Sequence, residues 1–242
     1  MTWITFIYLI ASGTFANQIS EEQKKFIGKY KKQKTIIRPE DAFINKDPEP
    51  TLNDGFVDLY NGKDFKGWVK YGGNMDYHAE PEWIRGTCVP KEKSAYLSTV
   101  KSDYKDFIFT VEIKWEVDGN SGIMFRSYTD HTKTTAKGPQ AEMEGMGERK
   151  WSGGIYGQGV GGWLYPLWLD AHKEARKALN FQNWNRLTIK AVGNLFQTWV
   201  NGVPCAKYTD EEDKFAQGFF SLQIHSGTKG EVLFRSPRVK EL

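Results

Sequence analysis

From Gly55 onward the chain breaks into short runs in which apolar and polar residues alternate, separated by glycines and by Asn-Gly or Asp-Gly pairs. A period of two places successive side chains on opposite faces of a strand, and the pairs supply turn positions between strands. Phe107 to Val117 (FIFTVEIKWEV) puts Phe109, Val111, Ile113 and Trp115 on one face and Thr110, Glu112 and Lys114 on the other. Asp118-Gly119 then turns the chain. In Ser121 to Tyr128 (SGIMFRSY), Ile123 and Phe125 share one face while Met124 and Arg126 share the other, so the two runs are predicted to pair as a hairpin. Leu187 to Val200, with turns at Gly193-Asn194 and Asn201-Gly202, reads as the start of a three-strand meander. Gly218 to His225 and Glu231 to Lys240 are the last strands. Asp170 to Leu179 (DAHKEARKAL) is the one helical pattern in this region. The expected architecture is an all-β antiparallel sandwich with a short helical insertion.

The pattern before Gly55 is different. Asn17 to Asp54 is polar and carries Pro39, Pro48 and Pro50, with a short helix expected from Ser20 to about Lys32. The Lys-rich stretch from Lys24 to Lys34 reads as a solvated basic linker. Met1 to Ala16 (MTWITFIYLIASGTFA) is a short apolar run ending in small residues, with Thr14 and Ala16 at the positions a signal peptidase reads. The expected organisation is a signal peptide over 1–16, a linker or tether over 17–54 and one β-sandwich over 55–242. Export to the periplasm or the exterior follows, with no membrane span in the mature chain because no later segment is apolar enough.

Composition narrows the picture further. The 242 residues suffice for one substantial core, and 24 Gly with 14% aromatic residues favour strands and turns. A net charge of +3, thinly spread, gives no footprint for nucleic acid. Cys88 and Cys205 are the two cysteines. They either pair in an oxidising compartment or serve as two small buried hydrophobes, and neither has companions suggesting a zinc site.

The candidate chemistry lies in Gly138 to Glu148 (GPQAEMEGMGE). Gln140, Glu142 and Glu144 fall two apart and project from one strand face, with Ala141 and Met143 on the other. Two carboxylates and an amide make a poor core but can bind hydroxyls or perform acid/base work; the alternative is a solvated sheet face. In Gly218 to Ser226 (GFFSLQIHS), Ser221, Gln223 and His225 form a second polar face opposite Phe220, Leu222 and Ile224. Between these strands Gly153 to Leu167 (GGIYGQGVGGWLYPL) reads as a mobile glycine-dense loop presenting Tyr156, Trp163 and Tyr165, whose rings suit sugar faces. Trp168 is expected to cover a cluster of the loop's own. Glu142, Glu144 and His225 could ligate a divalent metal, but no spacing dictates one.

Together these blocks resemble the 3-keto-disaccharide hydrolase family, which has a concanavalin A-like lectin/glucanase sandwich (a jelly roll). The resemblance runs from FVDLYNGKDFKGW at Phe56 to Trp68 and a Trp-x-x-Gly element at Trp83 to Gly86 through NSGIMFR at Asn120 to Arg126, GPQAEMEG at Gly138 to Gly145 and GGIYGQGVGGWL at Gly153 to Leu164. NWNRLTIKAVGN at Asn183 to Asn194, TWVNG at Thr198 to Gly202 and GFFSLQIHSG at Gly218 to Gly227 complete it. Many members look like G-x-E-x-Q where this chain has Gly138, Gln140 and Glu142, so amide and carboxylate are exchanged. Laminarinase-type glucanases carry E-x-D-x-E in such a strand; with Gln140 at its first position, a conventional retaining glycosidase is disfavoured.

The resemblance implies cleavage of a glycoside or disaccharide already oxidised at C3, with an oxidoreductase as the functional partner that makes the 3-keto sugar and with no resident cofactor. On that reading Glu142 is the base, Arg126 the electrostatic partner and His225 the acid or second base. Asn120, Gln140, Glu144, Tyr156, Trp163 and Gln223 would hold hydroxyls or stack. The alternative is a non-catalytic, lectin-like carbohydrate-binding module, since this fold hosts both.

Overall fold

The structure, a computed structural model, describes residues 17–242 apart from 31, 34 and 131–134. The expected signal peptide lies outside the described residues. Alternation becomes strands β1 (Val57–Asp58), β2 (Trp68–Gly72), β3 (Asp76–Ala79), β4 (Trp83–Thr87), β5 (Ala95–Thr99), β6 (Phe107–Val117), β7 (Asn120–Thr129) and β8 (Ala136–Glu144). They are followed by β9 (Ile155–Gln158), β10 (Gly162–Tyr165), β11 (Asn185–Val192), β12 (Leu195–Val200), β13 (Val203–Thr209), β14 (Phe219–Ile224) and β15 (Glu231–Glu241).

Two antiparallel sheets form a jelly-roll sandwich. One has the order β13-β12-β11-β6-β15-β4-β3, with β1 on the far end of β15; the other runs β10-β9-β8-β7-β14-β5-β2. The inner faces meet in an aromatic core. Phe220 of β14 stacks on Phe109 of β6 at 4.5 Å between ring centroids and meets Phe107 edge-on at 4.7 Å. Each such pair contributes about 0.5–1.5 kcal/mol beyond its buried area. The β11–β12–β13 meander forms as its turn residues predict, with Asn201 at φ 52 and Gly193 at φ 55.

Three expectations change. The predicted β6–β7 hairpin does not form: β6 pairs with β11 and β15, whereas β7 pairs with β8 and β14 in the opposite sheet. Asp118-Gly119 is therefore an arch between layers. Turn residues specify a reversal, but both runs carry a full apolar face, and both faces are buried when the strands stack across the core instead of lying side by side. Asp170 to Leu179 forms two short 3-10 turns, Asp170–His172 and Ala175–Lys177, in place of a helix. The glycine-dense stretch is ordered into the β9–β10 edge hairpin, with Gly162 at φ 97 opposite Gly157.

The segment before Gly55 is packed along the sandwich and is not a solvated linker. Ser20 and Asp170 exchange backbone hydrogen bonds across to Trp168 and Gln18. Asn45 Nδ2 donates to the carbonyls of Thr198 and Ala206, and Glu49 pairs with Arg186. A 3-10 turn at Glu21–Gln23 leads into α1 (Lys24–Tyr30), which buries Tyr30 against Trp151 and Trp163. The two thiols are free and buried, so they act as the small hydrophobes of the unpaired reading. Among the described residues, no helix is long and apolar enough to cross a membrane.

Candidate functional site

Register builds the site. On the outer face of the second sheet, Gly122 of β7 lies opposite Glu142 of β8 on one side and Gln223 of β14 on the other, and Gln223 lies opposite Tyr96 of β5. Four strands thus contribute one row. The inner neighbours Ala141 and Met143 join the core, as the alternation requires. Gly122 is a necessary gap: a Cβ there would approach Gln140 Nε2 to 2.5 Å. That space lets the Gln140 amide reach sideways, donating to Glu142 Oε2 at 2.9 Å and to Gln223 Oε1 at 3.1 Å. Gln140 Oε1 stays buried without a partner.

Glu142 is 5% exposed. Its Oε1 accepts from Asn120 Nδ2 at 2.6 Å and from the Arg149 guanidinium at 3.3 Å, while Oε2 accepts from Gln140 alone and retains a lone pair. Burial pushes its pKa up to about 7, partly opposed by Arg149 and by the amide donors of Asn120 and Gln140, and reinforced by the Glu144 charge. A carboxylate of that acidity is poised to exchange a proton near neutral pH.

Arg149 holds the two carboxylates together. Its Nε and a terminal nitrogen donate to Glu144 Oε2 at 2.9 and 2.7 Å. The remaining terminal nitrogen donates to Tyr30 Oη at 2.8 Å. Burial acts to lower the Arg149 pKa, but the Glu144 and Glu142 charges outweigh it and raise it. The loop after β8 turns this side chain back over the sheet because Glu144 Oε1 accepts the Trp151 backbone N–H at 2.6 Å and Asp118 accepts that of Met146 at 2.8 Å. The rings of Trp163, Trp151 and Tyr30 surround the guanidinium, with centroids 5.2, 5.5 and 5.9 Å from Cζ.

Above this row lies a cavity of about 520 Å³, bordered by Asn120, Gln140, Glu142, Gln223, Tyr156 and Trp163 from the sandwich and by Lys29, Tyr30 and Gln33 from the N-terminal segment. Its size suits one or two sugar rings. Tyr156 is half-buried and meets Trp163 edge-on at 5.4 Å. Trp163 is only 1% exposed; it backs Tyr156 and Arg149 and offers no open face for stacking. His225 follows β14 on the exposed rim, where Nδ1 donates to the Ser226 carbonyl at 2.6 Å and so leaves Nε2 for the cavity.

Arg126 does not belong to this site. A bulge between Met124 and Tyr128 breaks the β7 alternation, and Arg126 takes φ 44 within it. The extra residue turns the side chain inward at the other end of the sandwich. There its guanidinium, 1% exposed, donates to the carbonyls of Lys105, Gly193 and Phe215 and to Asp106, and lies 5.1 Å from the Phe196 centroid. It ties three chain segments together. The guanidinium expected beside Glu142 is instead supplied by Arg149.

Arg149 and the N-terminal residues Lys29, Tyr30 and Gln33 are site residues that the sequence pattern does not reveal. Arg149 lies five positions beyond Glu144 in a loop, where periodicity assigns no face; the flanking Trp151 was the available signal. Tyr30 lies in a segment that composition alone marks as solvated. Glu142 and Glu144 converge on Arg149, and Glu142 shares the lining of the cavity with His225. Among the described residues no group of three or more His, Cys, Asp or Glu is placed to hold a metal ion.

Residues 55–240 match the family described as the 3-keto-alpha-glucoside-1,2-lyase-like domain. Among solved structures the chain is similar to two proteins from Parabacteroides distasonis provisionally named glycosyl hydrolases. The first has a TM-score of 0.57 at 20% identity over 78% of this chain and 94% of that one. The second has a TM-score of 0.54 at 17% identity over 78% and 100%. A Bacillus subtilis protein of unknown function with a galectin-like fold gives 0.55 at 12% identity over 81% and 97%. These likenesses concern the fold. No curated protein matches the chain in sequence.

Proposed function

Since this chain belongs to the 3-keto-α-glucoside-1,2-lyase-like family, we propose that it cleaves 3-keto-glycosides by elimination, with Glu142 as the base. The observation carrying this is a buried carboxylate at the floor of a sugar-sized cavity, raised in pKa to about 7 and held by Asn120, Gln140 and Arg149. A carbonyl at C3 acidifies the C2 proton. Glu142 Oε2 takes that proton, and the C2–H electron pair delocalises onto the C3 oxygen as an enolate. The pair then returns to form the C1–C2 double bond as the C1–O bond breaks. His225, protonated at Nε2, gives its proton to the departing oxygen. Water then adds at C1, giving one proton to the His225 Nε2 left neutral by the elimination, while Glu142 returns its proton to C2, so both groups are restored and the net reaction is hydrolysis.

Arg149 supplies the fixed positive charge beside the enolate. Gln140, buried beneath the cavity, donates to Glu142 Oε2 and to Gln223 Oε1 and so fixes the carboxylate in place. No cofactor enters any step, and an oxidoreductase would have to supply the 3-keto substrate. Purified protein should release aglycone from a 3-keto-glucoside and leave the unoxidised glucoside intact. Release that is absent from the wild type, or equally fast in Glu142→Gln, overturns the reading. Binding of both sugars without turnover would instead favour a lectin-like module.

A further inference from the structure

A second cavity of about 450 Å³ adjoins the first, and Tyr30, Asn120, Arg149 and His225 border both. The two chambers differ in chemistry. The first is floored by Glu142, Gln140 and Gln223. The second is closed by the half-buried ring of Phe26 and the ring of Tyr30, and its further polar groups, Lys29 and Glu148, are exposed at the rim. Glu148 is already paired with Lys25 at 2.7 Å.

A glycoside has a hydroxyl-rich ring and a leaving group joined by one oxygen. If the ring being deprotonated lies over Glu142, the bond to be broken crosses the boundary between chambers. His225 stands on that boundary, where a leaving oxygen needs its proton. In the outer chamber the donors of Asn120 and Arg149 are already directed to Glu142, Glu144 and Tyr30, so the hydroxyls of a second sugar would compete for committed groups, and polar groups left unpaired are costly to desolvate. An aromatic ring there packs on Phe26 and Tyr30 at no such cost.

We propose that the outer chamber is the leaving-group subsite, that it selects an aromatic aglycone, and that Phe26 is the residue that selects it. This rests on the eliminative reading for the direction in which substrate lies. Phe26, Lys29 and Tyr30 all precede residue 55, where the family match begins, so the two rings that close the chamber come from the N-terminal segment while Asn120, Glu148, Arg149 and His225 come from the matched domain.

Two measurements test it. Calorimetric titration with unoxidised phenyl and methyl glucosides of one anomeric configuration needs no turnover. The phenyl compound should bind about 3- to 10-fold more tightly to the wild type, as expected for one aromatic contact. Phe26→Ala should abolish that ratio. Because Phe26 also meets Trp151 edge-on at 5.8 Å, Phe26→Leu serves as the second variant, retaining apolar packing without the ring. Equal binding of the two glucosides by the wild type, or a preference that survives in both variants, overturns the proposal. The phenyl-to-methyl ratio of kcat/KM on the 3-keto forms should fall in parallel. If neither 3-keto glucoside is cleaved, the eliminative reading fails, and the titration alone decides the subsite.

Discussion

Tyr30 Oη accepts a hydrogen bond of 2.8 Å from Arg149, and through that guanidinium the N-terminal helix is joined to both Glu142 and Glu144. The N-terminal segment is thereby part of the site's electrostatics. Tyr30→Phe removes the acceptor and leaves one arm of a charged donor unpaired, which should cost about 1–2 kcal/mol of stability by thermal melting. Arg149 lowers the Glu142 pKa, so a loosened Arg149 should also move the ascending limb of the kcat/KM profile to higher pH. A merely structural role would leave that limb in place.

Glu142→Gln should reduce turnover of a 3-keto-glucoside by roughly 100- to 10,000-fold, the range for loss of a positioned base. In the wild type, kcat/KM should rise with pH through about 7, the value to which burial pushes Glu142. That limb should be absent from the variant.

The same carboxyl makes stability depend on pH. Its folded pKa of about 7 exceeds the ordinary value of 4.5, so between those values the folded state binds more protons than the unfolded one. Stability from this group is full below about 4.5 and is lost as pH rises through about 7. Relative to Glu142→Gln, the wild type should therefore lose melting temperature across that window. Parallel melting curves for the two proteins from pH 4.5 to 8 would contradict this.

Arg126→Met should separate structure from catalysis. It leaves the carbonyls of Lys105, Gly193 and Phe215 and the Asp106 carboxylate without their donor, a loss of order 3 kcal/mol for a broken buried pair. Denaturant unfolding should shift strongly. The ascending pH limb of the folded fraction should keep its midpoint, because Arg126 has no contact with Glu142.

Cys88 follows β4 and Cys205 lies in β13, five strand spacings apart in one sheet. At about 4.8 Å per spacing that separation is roughly 24 Å, against a limit near 7 Å between Cα atoms for a disulfide. Burial pushes the Cys205 thiol up to about 12. Native protein should thus leave Cys205 unlabelled by a thiol reagent, and unfolding without reductant should expose two free thiols by mass.

Much of this protein was decided locally. Alternation with a period of two fixed which side chains of β6, β8 and β14 face the core, and it put Gln140, Glu142 and Glu144 on one face because a strand admits no other geometry. The resemblance in the ordered motifs from Phe56 to Gly227 carried the sandwich and the family. The pairing of strands was not local: Asp118-Gly119 encodes a reversal, and only competition for partners across the whole core sent β7 to the opposite sheet from β6. Arg126 shows the same limit, since one bulge residue inverts every later position in the alternation. Arg149 reaches Glu142 from the loop after β8, and Tyr30 reaches that guanidinium from a helix more than a hundred residues away in sequence. Period reports the face of a strand and says nothing of what folds over it, so the cavity's roof, its second chamber and the guanidinium between the carboxylates were decided by tertiary packing alone.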